Sequence, residues 1–286
     1  MMDGAAPAQA RPAAAAAPAP GKRRFGAVNW LGLRTLYFKE VRRFVKVVFQ
    51  TVFAPVISTA LFLVVFLQAF GRDGAFVNET PYVAFLAPGL VMLAVMTNAF
   101  ANSSSSLVIG KVQGSIVDVL MPPLSPAELT AAYVAGAATR GLLVGAITAC
   151  TGAAFVAMSP DGLTAPAAPL AAIYFAVAAA VLFGALGVVG GIWAEKFDQL
   201  AAVTNFVITP LTFLSGTFYA IGDLPEPFLT ASRFNPVFYL IDGFRYGFTG
   251  RAEADPALGA TVVFALSLAA VGASYAMFRA GYKLKS

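Results

Sequence analysis

Asn98, Asn102 and Ser105 stand at i, i+4 and i+7 in an otherwise apolar stretch, so on a helix they share one face. Ser103, Ser104 and Ser106 widen it. Amides and hydroxyls in apolar surroundings need hydrogen-bond partners, so this face either glues helices together or lines a wet pathway. Thr204, Asn205, Thr209 and Thr212, with Pro210, make a second polar wall. Arg140 is the one formal charge well inside an apolar stretch; it must snorkel, pair or face water, and Glu195 lies at a similar depth as a partner. These groups bind and position; they do not react. The chain has no histidine and one cysteine, Cys150, which excludes a Ser–His or Cys–His nucleophile, a Cys/His zinc site and an internal disulfide. No catalytic or metal-binding residue is therefore assigned. No Gly-x-x-x-x-Gly-Lys-Ser/Thr loop is present to cradle nucleotide phosphates.

The elements that carry these residues are apolar runs at 47–70, 82–107, 129–158, 169–193, 200–218 and 258–278. At ~1.5 Å per helical residue, roughly 20 residues cross a ~30 Å hydrocarbon core, and all six reach about that length. Only 12% of the chain is charged and 59% is hydrophobic, which leaves no stretch for a soluble catalytic domain. The expected fold is an all-α polytopic membrane protein with six transmembrane helices. Nine Lys and Arg residues precede the first run and three follow the last. With six crossings both termini share a side, and this excess of positive charge makes that side cytoplasmic. The net charge of +5 suits anionic headgroups, with no nucleic-acid partner implied.

Residues 1–24 are an Ala/Pro-rich tail expected to be disordered. Over 30–48, Trp30, Leu33, Tyr37, Val41, Phe44, Val45 and Val48 share one helical arc opposite Lys39, Arg42, Arg43 and Lys46. This pattern predicts an amphipathic helix on the membrane surface, held at lipid headgroups by Arg42, Arg43 and Lys46. Between the second and third runs, a short helix over 115–121 stops at Pro122 and Pro123; Ser125, Pro126 and Glu128 then spell a capping box. A loop with its own helix offers a docking surface. Residues 219–251 are too charged to span and too apolar for an ordinary loop, and are read as short re-entrant helices before the last span, or as an interfacial helix with aromatic anchors.

Several motifs carry a resemblance. They are Lys111, Gly114, Ser115, Asp118, Leu120 and Pro123 in the loop; Lys39-Glu40 and Arg42-Arg43-Phe44 in the surface helix; the run from Trp193 to Gln199; and the run from Asn235 to Phe248. In these the chain resembles ABC-2-type transporter permeases over roughly 28–283, in particular the branch with nodulation lipo-oligosaccharide and polysaccharide exporters. The resemblance implies one transmembrane domain over 25–286, in a bacterial cytoplasmic (inner) membrane. It implies an ABC ATPase subunit and a second copy of the chain as partners, with no cofactor on this chain and MgATP on the ATPase. Lys111, Gln113, Ser115, Asp118, Leu120, Glu195, Lys196 and Asp198 would then meet the ATPase. The pathway would run past Asn98, Asn102, Ser105, Thr204, Asn205 and Thr209, and an outer gate would involve Phe218, Tyr219, Asn235, Asp242 and Arg245. The function implied is outward transport of an amphipathic substrate such as a glycolipid, saccharide-lipid or drug-like molecule. The alternative is a carrier not driven by ATP, or an assembly scaffold; no span holds a mid-membrane Asp or Glu of the kind a carrier would use.

Overall fold

The computed structural model describes residues 28–70, 76–77, 80–159, 162 and 165–284; the expected tail at 1–24 lies outside these. Five helices are long and apolar enough to cross a membrane: α2 (Val48–Phe70), α3 (Tyr82–Val112), α5 (Pro126–Ala157), α6 (Pro169–Trp193) and α11 (Pro256–Ala280). The remaining long elements are α1 (Trp30–Val45), before α2, and α10 (Pro236–Thr249), before α11. A two-residue antiparallel pair, Phe76–Val77 with Thr80–Pro81, joins α2 to α3.

The expected fifth span, 200–218, is not one regular helix. It consists of α7 (Phe197–Val203), a π-helical turn (Thr204–Ile208) and α8 (Thr209–Phe213), and the helix stops five residues before the expected end. Pro210 contributes to the break, since its ring would collide with the carbonyl four residues back and it has no N–H to give; Pro55 and Pro88 are carried inside unbroken helices. The extra residue of a π turn relieves that collision. The Thr209 hydroxyl, 2.9 Å from the Thr204 carbonyl oxygen, holds the widened turn.

α3 is the central post, with α5 and α6 packed along it. Two glycine pairs, each at i and i+4, allow the close approach. A Cβ on Gly187 of α6 would lie 2.5 Å from the Phe100 carbonyl oxygen, and one on Gly191 would lie 2.9 Å from the Ser104 backbone. On α5, a Cβ on Gly141 would come within 2.8 Å of the Val95 carbonyl oxygen, and one on Gly145 within 2.3 Å of the Val95 side chain. Apolar helices gain little by leaving lipid for one another, so such small-residue seams supply packing that larger side chains would prevent. α10 and α11 close the far side of α6; there Gly247 meets the backbone of Ala172, and Gly243 meets the ring of Phe175. α2 stands at the perimeter, with most of its surface uncovered.

α1 keeps an amphipathic division: Leu33, Tyr37, Val41 and Phe44 of the expected arc are buried or partly covered, while Lys39, Arg42 and Lys46 opposite them are exposed. Its covered face is Leu36, Glu40 and Phe44, while Trp30 and Val45 of the apolar arc remain 71% and 50% exposed. The helix packs along the first half of α5, where Asn29 meets Glu128, Glu40 meets Gly136 and Tyr37 meets Thr139. Glu40 is fully buried because Gly136 leaves room for it: a Cβ at 136 would sit 2.8 Å from that of Glu40.

Candidate functional site

One end of the bundle gathers both structured loops and the end of α11. The expected short helix is α4 (Ile116–Leu120), and the expected capping box is present, with Ser125 Oγ accepting from Glu128 N–H and the Glu128 carboxylate accepting from Ser125 N–H at 2.6 Å. The same carboxylate accepts from the backbone N–H of Asn29, and the Asn29 amide donates to the Pro123 carbonyl. Glu128 therefore clamps the starts of α1 and α5 together, a role that its place in a capping box does not reveal. A cleft of about 410 Å³ opens between α1 and α4, with Lys39 on one wall and Asp118 on the other.

The charges expected at this end divide into two groups. Asp118, Gln113, Lys196 and Asp198 are exposed, and Ser115 is partly so. Lys111 instead donates to the carbonyls of Ile192 and Ala194, capping the end of α6, and Leu120 packs against the core. Glu195 pairs with Lys283 at 2.7 Å, which holds its carboxyl below the usual range, so it is not the partner of Arg140.

The polar seam lies deeper. Arg140 donates to the Asn98 side-chain oxygen at 3.3 Å. Arg43 donates to the Asn102 side-chain oxygen at 3.0 Å and to Ser105 Oγ at 3.2 Å, with its Nε 3.4 Å from Glu40. The other Glu40 oxygen accepts from Ser106 at 2.8 Å. Arg43 thus turns onto α3, whereas Arg42 and Lys46 point outward. Its inward turn follows from Glu40, which needs a cation within reach. Asn98 and Asn102 are buried, and the partly open stripe of α3 is the adjacent row of Leu93, Thr97, Ala101 and Ser105. On the broken fifth segment Asn205 is exposed, while the hydroxyls of Thr204 and Thr209 bond to their own helix.

At the opposite end lie the short helix α9 (Phe228–Phe234) and α10, and α10 with the loop after it lines a cleft of about 740 Å³ through Asp242, Arg245 and Glu253. Arg245 lies 3.7 Å from the centre of the Phe85 ring, donates to the Phe85 and Gly216 carbonyls, and sits 3.7 Å from Glu253. Asp242 accepts the backbone N–H groups of Glu253 and Ala254. Burial raises the Glu253 carboxyl above its ordinary range. Asn235 caps α10 and donates to the Leu211 carbonyl at 2.6 Å. Phe218 stacks on Phe66 and Phe213, with ring centres 5.1 and 5.2 Å away, and the Tyr219 hydroxyl donates to the Phe213 carbonyl. All five residues of the expected outer gate thus lie at this end, braced by hydrogen bonds or ring contacts.

A multi-helix membrane bundle with a helical loop clamped at one end also matches a known sequence family. The sequence pattern described as "ABC-2 type transporter" matches residues 32–249, the bulk of the chain. The chain belongs to that family. The permease is 37% identical over 221 residues to the inner membrane transport permease YadH of Escherichia coli strain K12, covering 77% of this chain and 84% of that one. It is 30% identical over 181 residues to nodulation protein J of Rhizobium leguminosarum bv. trifolii, covering 63% and 66% of the two chains. Against nodulation protein J of Rhizobium leguminosarum bv. viciae, the identity is 26% over 235 residues, covering 82% and 87%. The similarity therefore extends to both groups.

Proposed function

We propose that this permease is the membrane-spanning part of an ATP-driven exporter in a bacterial inner membrane. It would work as a pair of copies, with a separate ATPase subunit that binds MgATP. The end bearing α4 is cytoplasmic, as are both termini. The observation that carries this reading is the surface around α4. Val117 and Met121 are exposed beside Asp118, and the clamped unit of α1, the loop and α5 supports them from behind. An apolar patch with a charged rim on a rigid support suits a protein partner and is unsuited to standing bare in water. The transport name of the E. coli relative and the absence of a phosphate loop in this chain agree with that division of labour.

The pathway would pass between copies, along the open α3 stripe and the fifth segment, whose side chains at Asn205, Phe206, Val207, Leu211 and Phe213 lack cover. α9 and α10 would dip back into the outer leaflet as a gate. The substrate would be an amphipathic molecule, with its apolar part against these walls.

Asp118→Lys reverses one charge on the α4 surface without touching a buried group. Purified with its ATPase, the variant is expected to fold and hydrolyse ATP but to lose the coupling of hydrolysis to transport. Full transport at the wild-type ATP cost would show that α4 does not face the ATPase.

A further inference from the structure

The seam of α1, α3 and α5 has more positive than negative charge. Two guanidinium groups, Arg43 and Arg140, share it with one carboxylate, Glu40. Glu40 is already committed to Arg43 and Ser106. Among the described residues, the one side-chain partner of Arg140 is the neutral amide oxygen of Asn98, and the buried Arg140 Nε has no partner. The two cations bind Asn102 and Asn98, one turn apart on α3, so like charges are held near each other. An unmatched guanidinium in low dielectric is costly, and an anion reaching it would remove that cost.

The surroundings let one reach it. Arg140 is half-buried, Arg43 keeps 27% of its side chain exposed, and the adjacent α3 stripe shows only small residues at Thr97, Ala101 and Ser105. Arg140 lies ~26 Å along α5 from its last residue, Ala157, at ~1.5 Å per residue, most of the way across a ~30 Å core. From there a long guanidinium side chain can snorkel toward the headgroups of the leaflet on the α4 side.

We infer that Arg43 and Arg140 form a subsite for the phosphate headgroup of an anionic amphiphile drawn from that leaflet, with its chains lying along the α3 stripe. Guanidinium forks match phosphate oxygens in pairs, which favours phosphate over a zwitterionic or neutral head. The inference rests on the transport reading for its purpose, since it names the class of substrate that would enter.

The test is calorimetric titration of the purified full chain in neutral maltoside, without ATPase, using dihexanoyl phosphatidic acid as the probe. Asn98→Asp is nearly isosteric and supplies Arg140 with its own carboxylate. It is expected to raise Tm in the absence of ligand and to weaken phosphatidic acid binding roughly tenfold, the worth of about one charge-assisted contact. Arg140→Gln should weaken binding similarly, Arg140→Lys should restore only part of it because an ammonium lacks the paired fork, and the exposed Arg279→Gln should match the wild type. Equal affinity in the wild type and Asn98→Asp would overturn the subsite. Inorganic phosphate binding as tightly as the amphiphile would overturn the headgroup assignment. Because no ATPase is present, a failed Asp118 experiment leaves this result standing, and the converse holds too.

Discussion

Glu40 shows how one buried carboxylate can organise a seam. It is fully buried among α1, α3 and α5, and it receives Ser106 and faces Arg43. Removing one member of a buried ion pair strands the other, which costs about 3–5 kcal/mol, far more than an exposed pair contributes. Glu40→Ala should therefore lower the unfolding midpoint in detergent by an amount corresponding to about 3 kcal/mol. Lys39→Ala, one position away but exposed, should leave it unchanged. The contrast is informative because both residues belong to the same charged stretch of sequence and leave the helix in different directions, one exposed and one buried.

At the scale of elements, the glycine seams set how closely α5 and α6 approach α3. Gly187 would place a Cβ 2.3 Å from Ser103 Oγ and 2.5 Å from the Phe100 carbonyl oxygen. Backbone cannot move aside as a side-chain tip can, so Gly187→Val should force the helices apart at a cost of about 1–3 kcal/mol or more. Gly272 on α11 has nothing within 4 Å of its would-be Cβ. Gly272→Ala should therefore be neutral or gain up to about 1 kcal/mol of helix propensity. Thermal unfolding of the two variants separates tight packing from conformational freedom. The broken fifth segment has a different origin: Pro210 removes one helical hydrogen bond there, and the Thr209 hydroxyl braces the π turn before it.

For the whole molecule, the partly open stripe of α3 and the fifth segment are the faces on which the proposed second copy is tested. Asn98 is engaged with Arg140, so the informative labelling positions are Ala101 and Asn205, both exposed. In a Cys150→Ala background, Ala101→Cys and Asn205→Cys should form cross-links between copies or react with a water-soluble thiol reagent, and the response should change when ATP is bound. Absence of both reactions in both states would place lipid, not a pathway or a partner, against these faces.

Features set by local chemistry were readable from the chain alone. Apolar length marked five spanning helices to within a few residues, and the capping box and the proline stop located α4 and the start of α5, because caps and breakers act within one turn. The polar face at Asn98 and Asn102 was also legible, because an amide in an apolar run must be paired. Which partner each group takes was settled only by the packing of distant segments. Lys111 caps α6, Glu195 holds Lys283, Arg43 turns inward, and Glu128 ties α1 to α5. Each of these contacts joins residues far apart in the chain, and a helical periodicity specifies a face without naming what will cover it. The hydropathy arc of α1 could not place Glu40 for that reason: the space left by Gly136 on another helix put that carboxylate on the covered side.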